Sequence, residues 1–212
     1  MQKKDFYEFC EIIEKLRAPG GCPWDREQTH ESLKKHLIEE AYEAADAIDS
    51  KDSMDIADEL GDVLLQVVMH AQIGKEEGTF DIYDVTDKVS RKMIERHPHV
   101  FGDVSVKDSD EVLTNWEEIK KANRGQKTVY EAMQSVTKSL PALSRAEKVI
   151  GKAVKANLYT VENKKEIIRE ELGKKLFDLC ALAYENGIDA EECLCDFTKE
   201  FIKNFKNIEE NT

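Results

Sequence analysis

Ile56-Ala57-Asp58-Glu59-Leu60-Gly61-Asp62-Val63-Leu64 is the stretch that decides the fold class. Apolar residues at 56, 60, 64, 67, 68 and 71 recur at three- and four-residue steps, which is one face of a helix. The spacing predicts a helix from an N-cap at Ser53 to about Gly74. Upstream, the polar turn Asp49-Ser50-Lys51-Asp52-Ser53 separates it from a helix expected from Thr29 to Ile48. Before that lie the loop Cys22-Pro23-Trp24-Asp25 and the breaker Ala18-Pro19-Gly20-Gly21. A first helix is carried by Phe6, Phe9, Ile12, Ile13 and Leu16. Downstream, a helix over Tyr83 to Arg96 closes at His97-Pro98, residues 99–109 read as a loop, and Glu111 to Ala122 read as helix again. No alternating stretch is long enough for a strand, so the class is all-α, a helical bundle.

The chain has 212 residues, 31 of them Lys or Arg and 44 Asp or Glu, for a net charge of −13. Such an acidic surface disfavours binding to a nucleic-acid backbone or an anionic membrane. No apolar run approaches the roughly 18 residues of a membrane-spanning helix, and the N-terminus does not read as a signal peptide. Five cysteines, an odd number with no CxxC pair, fit a reduced, cytoplasmic setting.

The second predicted helix contains Glu39-Glu40-Ala41-Tyr42-Glu43. Its acids are three and four residues apart and share a face, where like charges repel unless a cation neutralises them. The third helix adds Glu59 and Asp62, three apart and embedded among Leu60, Val63 and Leu64. An acidic string alone is an ordinary solvated face. Two strings on helices joined by a short turn bring the carboxylates opposite one another and call for a hard divalent cation. An oxygen-only set with open positions suits Mg²⁺, which binds through carboxylates and substrate phosphates. A di-iron bundle would need Glu-x-x-His twice, and Glu27-Gln28-Thr29-His30 is a single match.

Lys92 and Arg96 lie four apart on the next helix, a spacing that projects two bases from one face. Trp116 and Lys120 repeat the spacing with an aromatic and a cation. Carboxylates for metal, bases for phosphate and an aromatic for stacking form one constellation.

Five ordered blocks carry a family resemblance. They are Gly21-Cys22-Pro23-Trp24-Asp25 with Gln28-Thr29, Glu39-Glu40-x-x-Glu43, Glu59-Leu60-Gly61-Asp62, Arg96-His97-Pro98-His99-Val100-Phe101, and Trp116-Glu117-x-Ile119-Lys120. Over residues 8–127 the chain resembles the MazG-type nucleoside triphosphate pyrophosphohydrolases of the all-α NTP pyrophosphatase superfamily. The resemblance implies hydrolysis of an NTP or dNTP to the monophosphate and pyrophosphate with Mg²⁺, Mn²⁺ being a substitute, and a homodimer that completes the bundle. It implies Glu40, Glu43, Glu59 and Asp62 as metal ligands. Glu39 matches the leading acid, which holds a further metal or orients the attacking water and is the candidate base. Lys92 and Arg96 match phosphate-binding positions, and Trp116 and Lys120 match the nucleotide-contacting pair. Where the family often has two successive arginines before the histidine, the first is here Glu95. Two readings stand beside this one: a superfamily enzyme for phosphoribosyl-ATP, dUTP or dCTP, and a nucleotide-binding module with little or no turnover.

A polar break at Asn123–Lys127 divides the expected domains, a catalytic one over 1–125 and a second MazG-like region over 126–212. In the latter, Ile168-Arg169-Glu170-Glu171-Leu172-Gly173-Lys174-Lys175-Leu176 lines up with Ile56–Leu64 and puts Lys174 where Asp62 stands. An ammonium at a ligand position opposes Mg²⁺, so the second copy is expected to be degenerate and non-catalytic.

Overall fold

The computed structural model describes residues 3–123, 125, 128–160 and 166–210, and contains helices and no strand among them. The expected class is the observed one. Contacts divide the chain into two compact units, Met1–Val104 and Ser105–Thr212. The polar break expected at 123–127 falls mostly outside the described residues.

The first unit contains α1 (Phe6–Arg17), α2 (Pro23–Glu27), α3 (His30–Ser50), α4 (Ser53–Glu77), α5 (Ile82–Arg96) and α6 (Pro98–Phe101). Local chemistry sets the ends. Asp5 with Glu8, Thr29 with Ser32 and Asp81 with Asp84 form reciprocal capping boxes that start α1, α3 and α5. The cap of α4 is Asp52, one residue earlier than the expected Ser53, and its carboxylate accepts from the backbone of Met54 and Asp55. A carboxylate at that position also meets the positive end of the helix dipole, an advantage a serine lacks. Lys51, in the left-handed conformation at φ 63°, ends α3 and allows α4 to turn back along it. The core of this unit is Ile13, Leu33, Val68, Met69 and Ile73, joined by Phe6, Phe9, Leu65 and Ile82. The stripe predicted for residues 56–71 is therefore the seam of α4 only in its second half. Leu60 is 50% exposed, whereas Val68 is 2% exposed.

Two short helices, α2 and α6, occupy stretches expected to be loops. Each begins at a proline, whose fixed φ suits a first helical turn. Gly21 is required before α2 because a Cβ there would lie 2.2 Å from the carbonyl oxygen of Leu16.

The second unit contains α7 (Ser109–Asn123), α8 (Val129–Gln134), α9 (Ala142–Lys155), α10 (Arg169–Glu185) and α11 (Ala190–Glu210). Its core, Met133, Val136, Val149, Ala153, Ile202 and Phe205, is made where α8, α9 and α11 meet. The α10 helix has no buried residue and touches α11. No described helix is long and apolar enough to cross a membrane.

Candidate metal site

The antiparallel pair α3 and α4 is the most extensive helix contact in the first unit. Near the turn that joins them, Glu40 and Glu43 of α3 meet Glu59 of α4. Each offers a carboxylate oxygen, and the three oxygens lie within 4.8 Å of one another. Among the described residues no other three acids, histidines or cysteines converge in this way.

Burial, first, and then the charges of Asp62, Glu43 and Glu59 push the Glu40 carboxyl above its ordinary range, helped by a hydrogen bond with Glu43. Burial likewise leads the upward push on Glu59, followed by Glu43, Asp62, Asp55 and Asp58. Glu59 as a whole is half-buried, but its Oε2 is sealed from solvent and has no hydrogen-bond partner. Asp62 stands outside the trio yet close enough to act on both raised carboxyls. A sealed, unpartnered carboxylate oxygen facing further acids is costly without a cation. The donor set is all oxygen, so these residues fit a hard divalent ion.

Glu39 is not one of the three. It lies half-exposed on α3 with Oε2 3.5 Å from Nδ1 of His36. The His36 ring in turn meets Trp24 edge-on, with centroids 6.4 Å apart. Trp24 is 55% exposed, but the short helix α2 that carries it is anchored. Buried Arg17 donates from Nε and Nη2 to the carboxylate of Glu76, at 2.9 and 2.7 Å, and from Nη1 to the carbonyls of Asp25 and Gln28. This clamp ties the Pro23–Gln28 segment to the far end of α4. No sequence pattern announces it, because its partners are backbone carbonyls and an acid 59 residues away.

Lys92 and Arg96 lie on α5 of the same unit, Lys92 exposed and Arg96 half-buried in the last turn. The largest electrostatic influences on Glu40 and Glu59 come from acids, not from these bases. Trp116 and Lys120 lie on α7, in the second unit, and both are half-buried. The Lys120 ammonium is 3.5 Å from Glu117. Burial pulls the Glu117 carboxyl upward, but Lys120, Lys152 and Lys155 together outweigh it and hold it below the ordinary range.

Two features of the α3/α4 seam escaped the sequence reading. Gln66, one turn beyond Asp62, is buried with its Oε1 unpartnered. Farther along, Nδ1 of His30 and Nδ1 of His70 are 2.7 Å apart in stacked rings, with Phe80 against His30. The 59-62-66-70 spacing on one helical face would have found both, had polar residues been followed past the acids.

Residues 28–101 match the family described as the MazG nucleotide pyrophosphohydrolase domain. The nucleoside triphosphate pyrophosphohydrolase/pyrophosphatase MazG of Thermotoga maritima is 40% identical over 223 residues, covering 97% of this chain and 86% of that one. The nucleoside triphosphate pyrophosphohydrolase of Escherichia coli K12 is 38% identical over 224 residues, covering 93% and 84%. An uncharacterized Bacillus subtilis protein, YabN, is 54% identical over 145 residues, which is 68% of this chain but only 29% of YabN. Among solved structures, a mazG-related protein from Thermotoga maritima matches at 29% identity with a TM-score of 0.46, over 54% of this chain and 98% of that one. With 40% identity along nearly all of this sequence and most of its Thermotoga relative, the chain belongs to the MazG family.

Proposed function

We propose that this chain hydrolyses nucleoside triphosphates, ribo- or deoxyribo-, to the monophosphate and pyrophosphate in a Mg²⁺-dependent reaction, with Mn²⁺ as a substitute. The observation that carries the reading is the meeting of Glu40, Glu43 and Glu59 oxygens within 4.8 Å. The names of the Thermotoga and Escherichia relatives support the same activity.

Glu40, Glu43, Glu59 and Asp62 would hold the ion, which when bound supplies positive charge against the phosphate oxygens. Glu39, exposed beside His36, takes a proton from the attacking water. The water oxygen bonds to the α-phosphorus, the bond from that phosphorus to its bridging oxygen breaks, and pyrophosphate leaves. Lys92 and Arg96 hold the phosphate chain, and Trp116 and Lys120 contact the nucleotide; these four assignments rest on the resemblance. The exposed Trp24 ring on the clamped helix α2 supports a further role in stacking on the base.

In this reading residues 1–125 form the catalytic domain and 126–212 a degenerate, non-catalytic helical region. A homodimer is supported by apolar side chains left in solvent, among them Met54 and Leu60 on α4 and Phe177 and Leu182 on α10. The net charge of −13 supports a cytoplasmic protein that binds neither nucleic acid nor membrane. Product analysis by ³¹P NMR across ribo- and deoxynucleotides tests the activity. Equimolar monophosphate and pyrophosphate are expected with Mg²⁺ and none with EDTA. Orthophosphate as the product, or nucleotide binding without turnover, would overturn it, the latter in favour of a binding module.

A further inference from the structure

The second unit buries a charge that the proposed reaction does not use. Arg145 lies on the face of α9 formed with Ala142, Val149 and Ala153, and is 4% exposed. Its Nε is sealed from solvent without a hydrogen-bond partner, and no described carboxylate forms an ion pair with it. Glu191 and Asp196 are engaged elsewhere. Glu191 Oε1 accepts the backbone N–H of Ala142 at the start of α9, at 2.5 Å, and Asp196 Oδ1 accepts from Lys199 Nζ at 2.7 Å. The buried Thr198 hydroxyl donates to the carbonyl of Leu194. Arg145 acts only weakly on Lys199, whose exposed ammonium is already paired with Asp196. A guanidinium cannot relieve its burial by losing a proton, as a lysine can.

We propose that Arg145 is the centre of an anion site in the second unit that takes a phosphate-type oxyanion, inorganic phosphate or pyrophosphate. The planar guanidinium fork matches two oxygens of a tetrahedral oxyanion, whose negative charge balances the unpaired Arg145. The site goes beyond the proposed reaction, since none of the residues assigned to that reaction enters it.

Inorganic phosphate and, separately, pyrophosphate are titrated into the full chain in EDTA, which removes any binding that needs a metal. Binding is read from ³¹P line width and from the melting temperature, with sodium chloride at matched ionic strength as the reference. Saturable binding and a rise in Tm are expected for at least one of the two anions, and the tighter arm identifies the ligand. Arg145→Met is expected to abolish both signals while retaining helix content, because an apolar side chain suits the buried position. Arg145→Lys keeps the charge but not the fork and is expected to bind about tenfold more weakly; it decides the question should the methionine variant not fold. Glu43→Ala is expected to bind the anion as the parent does, so the two proposals fail separately. No saturable binding of either anion, or unchanged affinity in Arg145→Lys, would overturn the site.

Discussion

The helices α4 and α10 carry the same Ile-x-x-Glu-Leu-Gly-x-x-Leu pattern, yet their acids meet different fates. In α4, Glu59 faces Glu40 and Glu43 across the pair, and the charges around it are acids. In α10, Glu171 is paired with Lys175 at 2.8 Å, and Lys174 with Asp178 at 2.6 Å, each along its own helix. The first arrangement stores repulsion that a cation can relieve, and the second is already neutral. Burial differs in parallel: six residues of α4 are buried and none of α10. A helical pattern therefore persists under weak constraint, because periodicity needs only solvent on one side. A metal site needs a second helix presenting acids at the right height.

Four changes would break or sharpen this contrast. Phe205, wholly buried in the second unit, gives the largest loss: Phe205→Ala is expected to cost about 3–5 kcal/mol in urea unfolding. A small effect would mean that the core among α8, α9 and α11 contributes little. Next, Glu43→Ala is expected to lower Mg²⁺-dependent pyrophosphate release by more than about 100-fold with helix content intact by circular dichroism. Glu171→Ala should leave turnover near the parent value, and equal losses in the two variants would erase the distinction.

The third change concerns pH and metal. Burial and neighbouring acids hold Glu40 and Glu59 above the ordinary glutamate value of 4.5, so the metal-free folded chain binds those protons more tightly than the unfolded one. Their contribution to stability is complete below pH 4.5 and falls as pH rises through the raised values. Glu59→Gln should therefore raise the melting temperature at pH 7 in EDTA and flatten its pH slope. Mg²⁺ should stabilise the parent more than this variant; equal stabilisation would detach Glu59 from the metal. The smallest effect is on stability in Glu171→Ala, which loses one exposed helical pair and should cost no more than about 0.5 kcal/mol.

Much of this was legible in the sequence. The 3.6-residue periodicity placed α1, α3, α4, α5 and α7, and the acids of Glu39–Glu43 and Glu59–Asp62 pointed to a shared cluster. The cap at Asp52, the helices α2 and α6, the Arg17 clamp and the unpartnered Gln66 were not legible. Each depends on a competition or a distant partner that spacing along one helix does not encode: a carboxylate outcompeting a hydroxyl, a proline starting a turn, or an arginine reaching backbone carbonyls. Arg145 was invisible for the opposite reason. It occupies a core position of an amphipathic helix where a hydrophobic residue is the default.

The Arg17 clamp has a consequence for how fast the molecule could accept a ligand. Because Glu76 and two carbonyls already fix the Pro23–Gln28 segment, little ordering entropy is left to spend there at the moment of association. Capture on that side should approach lock-and-key behaviour, with a rate set by diffusion and charge rather than by a slow rearrangement of the Trp24 segment.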